Sequence, residues 1–441
     1  MNGLDRIREA AARDGNLRFT SLMHHITVEM LRDAYNALKR DAASGVDDVT
    51  WQEYGDGLES RIADLHNRVQ SGRFRARPSK RVWIPKSDGR QRPIGIAALE
   101  DKVVQQAVVW VLSHIYEKDF LGFSYGFRPG RSQHNALDAI WVRITQRKVN
   151  WVLDADIKSF FDTINHAWLM KLLGRRIADP RMLRLIRKWL RAGVSEDGEW
   201  SKTEVGMPQG SVISPLLSNI YLHYVLDEWV QDWRKNKANG EVIIVRYADD
   251  FVMGFQYRNE AERFLEEMKE RFAAFGLEIH SEKTRLIEFG RFAEANRAAR
   301  GEGKTETFDF LGFTHICSRT RKNNRFTIHR KTIAKRLRAK LKEVRKELIH
   351  RRHEPVPVLG KWLRSVVQGH LNYFAVPGNI KALDAFRTEI NKAWLFALRR
   401  RSHKARNLTR ERMKCLIKTW IPAAKIKHPY PHQRLCVNYP R

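Results

Sequence analysis

The chain has 441 residues, a formal charge of +31 and a pI near 10.3, a balance that fits a polyanionic partner. With 43% hydrophobic residues it can bury a sizeable core in roughly two to four domains, and it has no apolar run of about 18 residues, so no membrane span is expected. The N-terminus lacks an apolar signal core, and three scattered cysteines (Cys317, Cys415, Cys436) suit neither a disulfide framework nor a zinc site, so a cytoplasmic protein without zinc is expected.

Residues 1–80 read as mostly helical, on MLRDAYNALKRD and DGLESRIADLHNRVQSG. Asp88-Gly89-Arg90 is a turn signal between two short strands, and residues 101–120 follow as a helix with a broad apolar face. In the next strand Trp151, Leu153, Ala155 and Ile157 alternate onto one face, and Asp154 and Asp156 onto the other. Two helices are predicted in RMLRLIRKWLRAG and SPLLSNIYLHYVLDEWV. Residues 241–255, EVIIVRYADDFVMGF, are two apolar arms rich in Val, Ile, Phe and Tyr, hence two strands, with Asp249 and Asp250 at or near the hairpin tip. Composition then shifts: residues 320–441 hold 32 Lys and Arg against 6 Asp and Glu, a net of +26 that leaves +5 for the other 319 residues. Within 320–353, Ile333, Leu337, Leu341, Val344 and Leu348 recur at helical spacing, so one face packs and the others are basic. Prolines at 355 and 357 break that helix, and three helices are expected at about 331–352, 358–375 and 380–401.

The paired aspartates carry the chemistry. Two like charges side by side on a buried hairpin repel each other and lose hydration. A divalent cation relieves both problems, and Mg²⁺ suits one or two carboxylates completed by water and phosphate. A solvated turn would explain two aspartates, but it does not need two near-continuous apolar arms. An inward acid from the 151–157 strand supplies the third carboxylate that two-metal phosphoryl transfer requires, and alternation leaves Asp154 and Asp156 equally eligible.

YADD, IKSFFD at 157–162 and GMPQGSVISPLLSN at 206–219 resemble the palm motifs of reverse transcriptases, and more narrowly those of bacterial group II intron-encoded reverse transcriptases, or maturases. The resemblance continues in order through GVDDVTWQEY (45–54), RVWIPKSDGRQRPIGI (81–96), FSYGFRPGRSQHNAL (123–137), GLEIHSEKTRLI (276–287), FDFLGFTH (308–315), GHLNYFAVPGN (369–379) and HPYPHQRLCV (428–437). It implies an α+β right-hand polymerase. An N-terminal helical extension (1–80) would precede fingers (81–150) and a palm with an antiparallel sheet (151–318). A helical thumb or maturase domain (319–401) and a short basic DNA-binding region (402–441) would follow.

The resemblance also implies roles. Asp156, Asp249 and Asp250 would hold two Mg²⁺ ions, with Mn²⁺ able to substitute, and the Ile157 carbonyl would lie near one metal. Phe161 matches the bulky residue under the incoming sugar that excludes a ribose 2′-hydroxyl. Lys86 and Arg92 match the cations that grip the triphosphate, for which a point charge and a planar fork are suited. Gln209 and Gly210 match the turn under the nascent base pair, and Lys283 the residue proposed to protonate the leaving pyrophosphate. Asp154 and Asp162 are expected to pair with nearby Lys or Arg. Implied partners are a group II intron RNA, an RNA template with a DNA primer, target DNA and dNTPs. The implied function is RNA-directed DNA synthesis during retrohoming, with assistance to splicing. The alternatives are a splicing factor with secondary polymerase activity, or a polymerase serving phage defence or DNA repair. Many relatives end in a zinc-bearing HNH endonuclease; this chain reaches Arg441 without its cysteines, so second-strand cleavage is not expected.

Overall fold

The protein is represented by a computed structural model that describes residues 3–85, 91–196, 199–201 and 205–438. In chain order its strands are β1 (Ser79–Pro85), β2 (Gln91–Ile96), β3 (Trp151–Ala155), β4 (Val194–Glu196), β5 (Glu199–Ser201) and β6 (Val242–Tyr247). Then come β7 (Asp250–Phe255), β8 (Arg285–Glu288), β9 (Thr307–Phe310), β10 (Phe313–Arg319) and β11 (Phe326–Thr332). They form three sheets, ordered β2-β1-β4-β5, β6-β7-β3-β8 and β11-β10-β9.

The β6-β7-β3-β8 sheet is antiparallel throughout and is covered on both sides, which explains why its strands are almost continuously apolar. On one side Leu153, Ala155, Ile244, Phe251, Met253 and Phe255 join a core with the helices Leu99–Asp119, Ser214–Leu222 and Arg258–Ala274. On the other, Val152, Ile243, Val245, Val252 and Ile287 pack with the helix Gln133–Gln146 and with Phe308, Phe310 and Phe313 of the β11-β10-β9 sheet. The helix predicted through SPLLSNIYLHYVLDEWV is interrupted by a π-helical turn, His223–Asp227, before it resumes at Glu228–Asn236. Such turns commonly mark functional positions.

The helices Ala334–His350, Val356–Phe374 and Ile380–Arg399 form a third core, in which Leu341, Val344, Leu363, Phe386 and the fully buried Trp394 meet. The basic helix starts at Ala334, and the residues before it are not helical: β11 takes Phe326–Thr332 and pairs along the whole of β10. The division expected between residues 318 and 319 therefore falls inside β10. Arg330, in β11, is only 1% exposed and pairs with the fully buried Asp138 at 2.9 Å, so this stretch of positive charge is partly interior.

The C-terminal segment folds back on the molecule. His428 stacks on His134 with ring centroids 3.9 Å apart, and Arg434 donates to Asp138 at 2.5 Å, which docks the helix Pro431–Asn438 on Gln133–Gln146. Among the described residues no helix is long and apolar enough to cross a membrane.

Candidate active site

The YADD sequence is a two-residue hairpin: Tyr247 pairs with Asp250, and Ala248 and Asp249 make the loop. Ala248 adopts φ 57°, a left-handed conformation that hairpin loops usually give to Gly or Asn. Two neighbours hold it there. Gly126 lies so close that a Cβ on it would stand 2.2 Å from the Ala248 nitrogen. The guanidinium of Arg246 donates to the Ala248 carbonyl at 2.9 Å and to Asn219 Oδ1 at 3.0 Å. Its other edge forks onto Asp227 at 2.7 and 2.5 Å, inside the π-helical turn. Asn219 in turn donates to the Gly126 carbonyl at 2.7 Å, closing a network under the hairpin.

The strand register sets Asp154 and Asp156 in different places. Ala155, the last residue of β3, lies opposite Phe251, so Asp156 follows just beyond the strand end, where its charge acts on both Asp249 and Asp250. Asp154 lies opposite Val252 and beside Arg285, its ion-pair partner at 3.5 Å, in keeping with the structural role expected of it. Burial, more than the partially offsetting Arg285, pushes the Asp154 carboxyl up to about 6.

Beyond Asp156 the chain is zipped to the segment 278–280. The Asp156 carbonyl accepts from His280 N–H and Lys158 N–H donates to the Glu278 carbonyl, both at 2.8 Å, around an Ile157–Ile279 bridge. The flanking peptides make these bonds; Ile157 itself is buried. This zipper brings Lys283 to Asp156, with Nζ 2.5 Å from Oδ2.

The carboxylates favour a cation. The Asp250 side chain opens to solvent at the hairpin mouth, yet protein atoms crowd its other sides. This loss of hydration, then the charges of Asp249 and Asp156, raise its carboxyl to about 7, with Arg336 pulling the other way. Asp249 is shifted upward by burial and by Asp156, against the pull of Arg92 and Arg246. Among the described residues, no three His, Cys, Asp or Glu side chains stand as a ready cation cage. The donor set nonetheless has the right chemistry for Mg²⁺, which takes one or two carboxylates and leaves its other positions to phosphate and water.

The remaining predicted residues surround this point unequally. Arg92 lies opposite Ile84 in the β1–β2 hairpin, close enough for its charge to act on Asp249. Lys86 lies outside the described residues. Phe161 packs edge-on against Phe160 at 5.4 Å, and its carbonyl accepts from Met207 N–H at 2.7 Å. Gly210 has φ 110°, and a Cβ there would stand 2.9 Å from the Gly95 carbonyl; the Gln209 carbonyl accepts from Gly95 N–H at 2.6 Å. The turn therefore needs glycine to lie against β2. Sequence reasoning missed Gln105, whose buried amide oxygen accepts from Ser211 Oγ at 2.7 Å and Val212 N–H at 3.0 Å and fixes this turn. It also missed Arg246 and Asp227. An Arg inside an apolar strand was the one available signal.

Comparison with known proteins agrees with this geometry. The family model described as reverse transcriptase (RNA-dependent DNA polymerase) matches residues 84–315. Protein YkfC of Escherichia coli is 37% identical over 277 residues, 55% of this chain and 72% of that protein. The group II intron-encoded protein LtrA of Lactococcus lactis is 31% identical over 375 residues, 82% of this chain and 59% of that protein. An uncharacterized 91 kDa protein in the cob intron of Schizosaccharomyces pombe is 32% identical over 301 residues, and the chain spans 36% of its length. The chain belongs to the reverse transcriptase family and, within it, to the group II intron-encoded reverse transcriptases and maturases.

Proposed function

We propose that this protein extends a DNA primer on an RNA template, binds a group II intron RNA to assist its splicing, and copies that RNA into DNA during retrohoming. The observation that carries the reading is the convergence of three carboxylates: Asp156, just past the end of β3, acts through its charge on Asp249 and Asp250 of the hairpin. In this reading β1-β2 with its surroundings is the fingers, the β6-β7-β3-β8 sheet the palm and the three-helix bundle the thumb.

Asp156, Asp249 and Asp250 would hold the metals. Bound Mg²⁺ would activate the primer 3′-hydroxyl and neutralise charge on the leaving pyrophosphate. The protein's own groups position and stabilise. Arg92, with Lys86, holds the triphosphate; Phe161 sits under the sugar and excludes a 2′-hydroxyl; the Gln209-Gly210 turn supports the new base pair. Lys283, already beside Asp156, supplies a proton to the leaving pyrophosphate. Positioning and preorganised charge account for most of such catalysis.

The test is primer extension on an RNA template with a DNA primer, dNTPs and Mg²⁺, with Asp249→Ala/Asp250→Ala alongside. Extension by the wild type that the double variant lacks supports the reading. Absence of extension by the wild type, with tight intron RNA binding retained, sinks the polymerase and leaves a splicing factor.

A further inference from the structure

A second concentration of positive charge lies away from the carboxylates. The helices Gln133–Gln146 and Glu228–Asn236 end beside the start of β6, where Arg143, Arg147, Arg234 and Lys235 line one cavity of about 290 Å³. Glu241 is the carboxylate lining it, and it is already engaged, by Arg147 at 3.3 Å and the Lys148 N–H at 2.9 Å. Arg234 has the amide oxygen of Gln231 at 3.3 Å as its hydrogen-bond partner; no carboxylate pairs with Arg143 or Arg234 among the described residues. Burial, then the charges of Arg143 and Arg147, lower the Arg234 pKa.

Cations in the last turn of a helix complement its dipole, which accounts for a basic residue at each terminus. It does not account for two termini delivering four cations to one pocket with so little acid. Converging like charges cost stability, and an anion reverses that cost.

We propose that this pocket binds backbone phosphates of a structured RNA outside the primer–template cleft, an inference that rests on the intron RNA reading above. The hairpin mouth is at the far end of β6, where Tyr247 lies five residues along the strand and so roughly 17 Å from Val242. A short duplex engaged at the carboxylates would leave this pocket free, whereas a large folded RNA can reach both. Planar guanidinium forks partly shielded from water suit phosphate oxygens.

The test is Arg143→Gln/Arg234→Gln in the full chain, which leaves the Arg147–Glu241 pair intact. The probes are a folded group II intron RNA, a DNA duplex of similar length, and a short primer–template, each over a series of KCl concentrations. We expect intron RNA affinity to fall about 3–10-fold and its log–log salt slope to drop by about 1–2. Extension on the short primer–template should be unchanged, and the low-salt melting temperature unchanged or higher, since repulsion is relieved. Unchanged intron RNA affinity and slope would overturn the proposal. So would an equal loss on duplex DNA, which marks a general polyanion surface, or a lower melting temperature, which marks a structural role. Failure of the wild type to prefer intron RNA over duplex DNA would instead defeat the reading beneath it.

Discussion

Arg246 and Asp227 form a bidentate ion pair in which neither side chain has any exposed surface. One residue sits in the strand leading into the Ala248-Asp249 hairpin and the other in a π-helical turn, so the pair ties the helix interruption to the position of Asp249. The remaining guanidinium hydrogens hold Ala248 in its left-handed conformation through its carbonyl. The strain of that residue is thus offset by a buried network behind the site.

Removing one partner leaves a buried charge without its counter-ion, at a cost of about 3–5 kcal/mol. Asp227→Ala is therefore expected to give poorly folded protein. Arg246→Lys is the informative change. A lysine keeps the charge but cannot reach Asp227, Asn219 and the Ala248 carbonyl together. It should yield folded protein with a melting temperature several degrees lower. Primer extension should fall more than RNA affinity does. Full extension by a folded Arg246→Lys protein would show that the hairpin does not depend on this tether.

Asp250→Asn should abolish extension, with a loss of roughly 10³-fold, the scale seen when a main electrostatic stabiliser is removed. The same change should raise the melting temperature of the metal-free protein. The carboxylate is disfavoured where it stands, by lost hydration and by Asp249 and Asp156. Opposite signs in activity and stability identify a group kept for chemistry. A lower melting temperature would assign Asp250 to structure.

Much of this site could be read from the chain because its parts are local. The hairpin needs two apolar arms and a short loop, and both are contiguous in residues 241–255. The choice of Asp156 over Asp154 could not be made by alternation, since both acids lie on one face, and it rests on the family motif; cross-strand register adds that Asp154 lies inside the sheet opposite Val252 and beside Arg285, whereas Asp156 follows the strand end. Arg246 and Asp227 are 19 residues apart with no shared motif, and their pairing exists only once β6 packs on the helix. β11 was hidden for a different reason. Phe326, Thr327 and Ile328 suit a strand, but they stand in a basic run whose helical spacing continues from Ile333. The burial of Arg330 depends on Asp138, 192 residues away.

Phe161 is half-buried against the core, and its carbonyl accepts from the Met207 N–H. If its ring excludes a 2′-hydroxyl, Phe161→Ala should admit ribonucleotides. Steric selection of this kind is worth about 1–3 kcal/mol, so discrimination between dATP and ATP should fall roughly 10–200-fold. The loss should appear in the ATP kcat/KM and leave dATP incorporation within a few-fold of wild type. An equal decline with both nucleotides would mean that the ring only packs.

Asp101 offers a pH test of the framework behind the Gln209-Gly210 turn. It is 2% exposed, accepts from Trp189 Nε1 at 2.8 Å and from the Arg77 N–H at 3.2 Å, and shares a small cavity with Gln105, Met207 and Pro208. Burial pushes its carboxyl from 3.8 up to about 7; Glu100 adds to the rise, while the two hydrogen bonds and the Arg77 charge oppose it. The folded protein therefore keeps this proton between about pH 4 and pH 7, where the unfolded chain has released it. More protons bound in the folded state means that stability falls as pH rises through that window and levels off above it. Asp101→Asn carries no such titration and keeps an oxygen for Trp189. Its melting temperature should match wild type near pH 4 and exceed it increasingly towards pH 8, a gap on the order of 2–4 kcal/mol before neighbouring charges relax. Parallel melting curves across that range would mean that Asp101 is ionised in the fold, and that the Trp189 and Arg77 hydrogen bonds outweigh its burial.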